Sequence, residues 1–206
     1  MRPADRSATH EKRHAQESVG RRRMKTPPGP LPLASRTGLG YDSHRFGPGG
    51  PLILGGVSIP ADEHLVGHSD GDAVAHALTD AILGAAGAGD IGEMFPDTDP
   101  ANRHRDSMLM LRAAVERLAS LGWRVAQADI TVIAERPRIL PHRRAMIERL
   151  SAVIGVDGDA LSLKGKTNEG MGWIGRGEGI ACLAVATLVP RPLVDDQPDA
   201  HSGHGG

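Results

Sequence analysis

The side chains best suited to chemistry in this sequence are a carboxylate and two imidazoles in two separate segments. Asp42 and His44 alternate in the segment 38–46, and residues two apart in an extended strand point to the same face. His76 lies downstream, in a segment with helical spacing. One carboxylate and two imidazoles suit zinc or a similar divalent metal, and three protein ligands leave one position open for catalysis. We therefore predict a metal site at Asp42, His44 and His76; the alternative for an isolated Asp-x-His is a solvated strand end.

The predicted ligand His76 belongs to a row of charged residues spaced four apart. Asp72, His76 and Asp80 would form one line along a helix predicted over residues 73–86, beside two apolar rows. An aspartate one turn away on each side could hold the imidazole by hydrogen bonds. We predict that Asp72 and Asp80 orient the His76 ring in this way.

The segment before this helix, residues 67–72, allows two interpretations. Ser69 or Asp70 could cap the helix, which is the ordinary role of such residues. Alternatively, His68 and the exposed amides at the helix start could bind a phosphate. A further polar loop at residues 89–100 combines carboxylates with turn formers, which by itself indicates only a well-built turn.

Residues 164–179 combine basic, hydroxyl and acidic side chains with five closely spaced glycines after residue 169. This glycine spacing predicts neither a helix nor a regular strand. Backbone amides in such a loop can approach an anion, with Lys166, Thr167 and Arg176 as further donors. Glu169 adds an oxygen ligand for a hard metal. The loop is not a Walker A motif, because no Gly-Lys-Ser/Thr opens a helix. The residues alone therefore predict a metal-assisted enzyme that acts on a phosphorylated or diphosphorylated substrate.

The elements that must position these residues alternate between strand and helix. Short apolar runs at 52–54, 130–133 and 161–164 indicate strands, and helical spacing recurs over 73–86, over 106–121 and after Pro141. For residues 180–189 the periodicity does not distinguish a strand from a helix. We predict an α/β fold of the α+β type, a single domain with a mixed β-sheet covered by helices on one face.

Composition excludes several classes of protein. The chain of 206 residues has no apolar run of about 18 residues, which argues against a transmembrane helix and predicts no membrane partner. Its single cysteine, Cys182, excludes an internal disulfide and a dithiol redox function, and fits a cytoplasmic setting. Because Cys182 lies in an apolar run, we expect a buried, inert thiol.

Charge is uneven along the chain and predicts three parts. Residues 1–36 carry nine Lys/Arg and three Asp/Glu, whereas the remainder is net acidic. We predict a disordered basic, proline-rich tail at 1–35, a folded domain at 36–190 and a second disordered tail at 191–206. The basic tail could contact nucleic acid, but the acidic remainder favours a solvated extension, so we predict no nucleic-acid partner.

Several of these segments together resemble one enzyme family. 2-C-methyl-D-erythritol 2,4-cyclodiphosphate synthases carry, in the same order and spacing, stretches similar to GLGYDSHRF, LILGGVSIP, GHSDGDAVAHALTDAILGAA, GDIGEMFPDTDP and GRGEGIA. The resemblance runs from about Arg36 to Val189. It implies a phosphorus–oxygen lyase of mevalonate-independent isoprenoid synthesis. In that reaction the 2-phosphate of a cytidine-diphosphate-activated methylerythritol attacks the β-phosphorus, CMP leaves, and a cyclic diphosphate forms.

The resemblance also implies roles for individual residues. Zn²⁺ would be held by the site of Asp42, His44 and His76, and Mg²⁺ or Mn²⁺ bound to the substrate diphosphate would be held by Glu169. The residues that match the pair stabilising the transition state are His68 and Thr167. The methylerythritol pocket would comprise Ser69, Asp90, Ile91, Gly92, Phe95, Pro96, Asp97, Thr98 and Asp99. The cytidine-diphosphate side would comprise Ala134, Glu135, Arg136, Pro137, Arg138, Ile139, Leu140, Lys166 and Asn168. Trp173 and Arg176 would be further substrate-binding residues.

The family is a homotrimer that packs its sheets around a threefold axis and forms its active sites between subunits. Zinc is held by one subunit and cytidine by its neighbour. This chain departs from the family pattern at Lys166, Asn168, Trp173 and Leu183. Leu183 stands where a glutamate often pairs with the arginine that matches Arg176, so the central channel of a trimer would differ here.

The residues also allow two other functions. A zinc-dependent phosphohydrolase would share the metal site but release linear products by attack of metal-bound hydroxide. A non-enzymatic metal- or nucleic-acid-binding protein would instead rely on the basic tail, with strongly salt-dependent affinity.

Overall fold

A computed structural model describes residues 35–192 of the chain. The two predicted tails lie almost entirely outside the described residues. The strands are β1 (Arg36–Pro48), β2 (Leu52–Leu54), β3 (Val57–Ile59), β4 (Glu63–Leu65), β5 (Trp123–Ile133), β6 (Leu161–Lys166) and β7 (Gly179–Pro190). The helices are α1 (Ala73–Ala86), α2 (Ile91–Met94), α3 (Ser107–Ser120), α4 (Arg143–Ile154) and α5 (Gly172–Gly175).

Five strands form one mixed sheet in the order β4-β1-β7-β5-β6, and β2 pairs with β3 in a separate hairpin. Only β5 and β6 run parallel, and the other neighbours in the five-stranded sheet are antiparallel. The predicted mixed sheet and the three predicted helices are confirmed. Residues 180–189, undecided by periodicity, belong to β7, which lies between β1 and β5 at the centre of the sheet. The prediction that the glycine-rich segment holds no helix is wrong at one point, because residues 172–175 form the single turn α5.

Helix α1 is the centre of the core, since twelve of its fourteen residues are buried. Its N-cap is Asp72, whose carboxylate accepts hydrogen bonds from the amides of Val74 and Ala75. The predicted caps Ser69 and Asp70 are therefore wrong by two or three residues. The helix ends at Gly87, which adopts the left-handed conformation that glycine accommodates without steric cost.

The alternation of β1 decides which side of the sheet α1 covers. Gly38 and Gly40 face α1 so closely that a Cβ at Gly40 would overlap the carbonyl oxygen of Ala77. The intervening residues point to the opposite face. Leu39 is 66% exposed there and Tyr41 is 52% exposed. The helices thus cover one face of the sheet, as predicted, and no element within residues 35–192 covers the other face.

No helix within residues 35–192 has both the length and the apolar character needed to cross a bilayer.

Substituting Gly40→Ala should lower the free energy of unfolding by about 3 kcal/mol, because the new Cβ can be accommodated only if α1 moves away from β1. The matched control is Gly84→Ala within α1, where an added Cβ meets nothing within 4 Å. That control should raise stability by about 0.5–1 kcal/mol through helix propensity. Urea unfolding measures both changes, and equal stability of the two variants would contradict the tight contact.

Candidate functional site

The three residues predicted to bind a metal converge at one point between β1 and α1. Nε2 of His44 lies 2.8 Å from Oδ2 of Asp42, and Nδ1 of His76 lies 3.0 Å from the same oxygen. The two imidazole nitrogens are 3.3 Å apart. All three potential ligand atoms lie within 4.8 Å of one another. One carboxylate and two imidazoles in this arrangement can hold a single divalent metal ion.

Hydrogen bonds on the far side of each ring set which nitrogen faces the site. Nδ1 of His44 donates to the backbone carbonyl of Val66 at 2.8 Å, which leaves Nε2 to face Asp42. For His76 the arrangement is reversed: Nε2 lies 2.8 Å from Oγ of Ser107 and 2.9 Å from Oγ of Ser69. Both imidazoles are therefore held from outside the site, as bound metals require of their histidine ligands.

The prediction that Asp72 and Asp80 orient His76 is wrong. The carboxylate of Asp72 accepts the amides of Gly55 and Gly56 in addition to those at the start of α1. Asp80 instead accepts the amide of Ile91 at 2.8 Å, at the first residue of α2. Helical spacing placed both carboxylates near His76, but backbone donors from other segments already occupy them.

Charges within the site perturb two of its groups. Burial acts to raise the pKa of Asp42, but hydrogen bonds and charges from His44 and His76 outweigh it and hold the pKa well below its usual value. Burial acts to lower the pKa of His44, yet the hydrogen bond and charge of Asp42 raise it above its ordinary value. In the metal-free protein the carboxylate is thus ionised and its partner imidazole binds a proton readily.

A cavity of about 360 Å³ opens beside the predicted metal ligands. It brings together His44 and His76 with other predicted site residues, namely His68, Ser69, Ile91, Gly92, Phe95 and Asp97. Nδ1 of His68 lies 3.2 Å from Oδ2 of Asp97, and both side chains are largely exposed. One metal-binding corner and one exposed imidazole therefore face the same space.

Two predicted pocket carboxylates are engaged by the local backbone. Asp90 caps α2 through the amide of Glu93 at 2.8 Å, and Asp99 accepts the amide of Ala101 at 2.9 Å. The remaining members of this predicted group, Pro96 and Thr98, are exposed on the same loop. These four residues flank Phe95 and Asp97, the members of the loop that line the cavity.

The predicted cytidine-diphosphate residues form a second group that does not line this cavity. Glu135, between β5 and α4, accepts the amides of Asn168 and Gly170 at 3.0 and 3.2 Å. These bonds hold the loop after β6, where Oγ1 of Thr167 donates to Oε1 of Glu169 at 3.0 Å. Both the Thr167 and the Glu169 side chains are exposed.

Other members of this second group are paired or exposed away from the cavity. Nε and Nη2 of Arg136 donate to Oε2 of Glu63 at 2.9 and 2.6 Å. Nε of Arg176 donates to Glu178 at 2.6 Å, so this arginine has an acidic partner even though position 183 is leucine. Ile139 is buried, whereas the exposed or half-exposed remainder are Pro137, Arg138, Leu140, Lys166 and Trp173. Ala134 is also buried, and its amide bonds to the carbonyl of Lys166.

Sequence reasoning missed several residues at this site. Ser107 contacts His76, and Asn102 and Met110 line the cavity. All three lie between residue 100 and the first turn of α3, outside the motifs whose residue types predicted chemistry. Asp106, the N-cap of α3, is a signal in the sequence for the start of that helix. No signal in the sequence indicates that the first turn of α3 contacts His76.

The comparisons with known proteins agree on one family. Residues 35–189 match the model of the YgbB family. A relative from Gemmatimonas aurantiaca, named 2-C-methyl-D-erythritol 2,4-cyclodiphosphate synthase, is 62% identical over 159 residues, which cover 77% of this chain and 96% of the relative. A solved CDP-bound structure of a 2C-methyl-D-erythritol-2,4-cyclodiphosphate synthase is 42% identical, with a TM-score of 0.69, and covers 75% of this chain and 100% of that one. A CDP complex of the Plasmodium falciparum protein IspF is 36% identical, with a TM-score of 0.68 over 78% of this chain and 99% of that chain.

Metal affinity should fall as the pH decreases from 8 to 6, because a proton on His44 competes with the metal and the pKa of this imidazole is raised. Binding of Zn²⁺ should release protons in this range, more of them at the lower pH. Calorimetric titration in two buffers of different ionisation enthalpy measures the release. His76→Ala should abolish tight binding, whereas the control His142→Ala, at the N-cap of α4, should not. Affinity independent of pH would contradict the assignment.

Proposed function

The chain belongs to the YgbB family, and on that premise we infer that it is a phosphorus–oxygen lyase, a 2-C-methyl-D-erythritol 2,4-cyclodiphosphate synthase. Its substrate would be 4-diphosphocytidyl-2-C-methyl-D-erythritol 2-phosphate, and its products the 2,4-cyclodiphosphate and CMP. The observation that carries this inference is the convergence of Asp42, His44 and His76 beside a cavity with an exposed imidazole. The two structural relatives with CDP support a nucleotide-derived substrate.

The reaction needs positioning more than it needs a base. One oxygen of the 2-phosphate forms a bond to the β-phosphorus, and the bond from that phosphorus to the bridging oxygen of CMP breaks. Both groups belong to one substrate, and the attacking phosphate is ionised at neutral pH. Correct orientation alone is worth roughly 7–11 kcal/mol for an intramolecular attack. This agrees with a described site that offers imidazoles, carboxylates and hydroxyls in place of a nucleophile and base pair.

Asp42, His44 and His76, here called the metal corner, would hold the phosphoryl group on which charge develops during the reaction. A divalent metal at Asp42, His44 and His76, which we propose to be Zn²⁺, supplies Lewis-acid polarisation of a phosphoryl oxygen when bound. His68, exposed at the wall of the same cavity, would donate to the reacting phosphate, and Asp97 would hold the imidazole in place. The methylerythritol moiety would fill the space between Ser69 and the loop from Asp90 to Asp99.

The loop after β6 would supply the second set of contacts. Glu169 carries an exposed carboxylate suited to Mg²⁺ or Mn²⁺ shared with the substrate diphosphate. Thr167 would donate its hydroxyl to the transition state once the substrate draws it away from Glu169. Residues 134–140, with Lys166, Asn168, Trp173 and Arg176, would bind the cytidine diphosphate through backbone and side-chain donors.

We propose that the two groups of residues meet between subunits of a homotrimer. In one chain the cavity lining includes none of the residues 134–140 or 166–176. The uncovered face of the sheet also carries apolar side chains that a neighbouring subunit would bury. Leu39 lies opposite Val185 in the register of β1 and β7, and Val185 is 38% exposed. Contact across this face would bring the loops of one subunit to the metal corner of the next.

We propose that the activity belongs to the folded domain alone. Residues 36–190 would carry the activity, and the tails at 1–35 and 191–206 would be dispensable for turnover. We propose a cytoplasmic enzyme without a nucleic-acid or membrane partner. The single cysteine, Cys182, has no partner for an internal disulfide, which fits a reducing compartment. Its thiol is buried, and burial raises its pKa.

Purified protein given the substrate and Mg²⁺ should form a cyclic diphosphate and CMP in equal amounts. Phosphorus NMR measures both products. Strong chelation should abolish turnover, and added Zn²⁺ with Mg²⁺ should restore it. His76→Ala should lose at least about 10³-fold in rate while its circular dichroism stays that of the wild type. Linear phosphate products would overturn the synthase in favour of the phosphohydrolase.

The shared site is tested by mixing two inactive variants. His76→Ala damages the metal corner and Glu169→Gln damages the loop after β6, so a mixed trimer would contain some intact sites. Random refolding of the two should recover about one quarter of the wild-type rate. The matched control combines His76→Ala with Asp42→Ala, which damage the same corner and should recover nothing. No recovery in the first mixture would contradict a site formed between subunits.

A further inference from the structure

Two serine hydroxyls lie at the ring nitrogen of His76 that faces away from the predicted metal. Oγ of Ser107 is 2.8 Å from Nε2 and Oγ of Ser69 is 2.9 Å from it, while Nδ1 lies 3.0 Å from Oδ2 of Asp42. Ser107 is fully buried as the first residue of α3, and Ser69 is half-buried at the cavity wall. The two hydroxyls differ in their other hydrogen-bond partners.

The carboxylate of Asp70 accepts hydrogen bonds from both donors of Ser107, the hydroxyl and the backbone amide. The hydroxyl of Ser107 donates to Oδ1 of Asp70 in a short contact, and the amide of Ser107 donates to Oδ2 at 3.0 Å. The amide of Asp72 also donates to Oδ1, at 3.2 Å. An ionised carboxylate can only accept, so the hydroxyl proton of Ser107 points to Asp70. The hydroxyl can therefore present only a lone pair to His76.

Ser69 has no such constraint. Its Oγ has one other partner among the described residues, the amide of Gly71 at 3.4 Å, and no carboxylate orients its proton. Its hydroxyl can therefore rotate to act as donor or acceptor, and it lies where substrate would enter. Of the two serines, only Ser107 dictates the direction of the hydrogen bond at Nε2.

We propose that Asp70 and Ser107 are positioning residues that orient the His76 ring for metal binding through Nδ1. The chain Asp70–Ser107–His76 requires a proton on Nε2, because Ser107 must accept there. Nδ1, which lies 3.0 Å from Oδ2 of Asp42, is then the ring nitrogen whose proton a metal can replace. The carbonyl of Val66 does the same for His44 through the opposite ring nitrogen. Each imidazole is thus oriented with one nitrogen toward the metal site.

The same hydrogen bonds make Asp70→Asn an informative variant. Both carboxylate oxygens accept a backbone amide, Oδ1 from Asp72 and Oδ2 from Ser107, and neither amide can reverse. The amide nitrogen of Asn would therefore oppose a backbone N–H in either orientation, and the hold on Ser107 would be weakened. Ser107→Ala removes the buried acceptor at Nε2 directly.

The test measures binding of Zn²⁺ alone to the full chain, by competition with a chromogenic chelator. This inference rests on the metal site of the proposed function, but the titration reads that site without substrate or turnover. Ser107→Ala and Asp70→Asn should each weaken binding about 10-fold. The matched control is Ser151→Ala, a buried serine of α4 whose hydroxyl, among the described residues, bonds only the carbonyl of Glu148. Its affinity should equal that of the wild type.

A second readout follows the Nε2–H group itself. Nitrogen NMR of the Zn²⁺-loaded protein labelled with ¹⁵N-histidine should show a protonated Nε2 of His76, whose signal shifts in Ser107→Ala and stays unchanged in Ser151→Ala. A merely structural role for Ser107 would not move this signal. An unchanged signal in Ser107→Ala, or zinc affinity within twofold of the wild type in both variants, would overturn the proposal. If Asp70→Asn does not fold, Ser107→Ala decides it: wild-type affinity in that variant would overturn the proposal, and a 10-fold loss would support it.

Discussion

The contact between the backbone of α1 and β1 is the constraint on which the site depends. Gly38 and Gly40 present no side chains to α1, so the carbonyls of Ala77 and Ala81 come directly against the strand. The same strand face continues at Asp42 and His44, two and four residues farther on. His76 precedes the contact on α1 and therefore reaches them. A larger residue in either glycine position would move the histidine away from its partners, because the interior is close-packed.

A buried carboxylate sets the rotation and height of that helix. Asp72 is fully buried and accepts four backbone amides, two from the start of α1 and two from the turn at Gly55 and Gly56. Burial raises its pKa, and these amides act in the opposite direction by stabilising the ionised form. The carboxylate thus ties the hairpin of β2 and β3 to the helix. It supports the site without touching a metal or a substrate.

The proposed function divides its chemistry between two regions that one chain keeps apart. The metal corner lies between β1, α1 and the loop around Phe95, whereas the loop after β6 lies on the far side of β7. Hydrogen bonds from the amides of Asn168 and Gly170 to Glu135 hold that second loop in shape. Both regions are therefore built in the monomer, and assembly would serve to bring them together across chains. Leu39, Tyr41 and Val185 mark the open face of the sheet that assembly would bury.

Local periodicity in the sequence predicts most of the strands and helices and the residue types of the candidate metal site. The alternation of Asp42 and His44, the helical rows of α1 and the family motifs all lie within short windows. Tertiary structure alone decided which polar group serves which partner. Asp72 and Asp80 have the spacing to hold His76 but bond to Gly55 and Ile91 instead, and Ser107 takes their place. Periodicity likewise left residues 180–189 undecided between strand and helix, and pairing with β1 and β5 makes them part of the strand β7. Such choices depend on donors and acceptors from segments that are distant in the chain, and those pairings leave no periodic signal in the sequence.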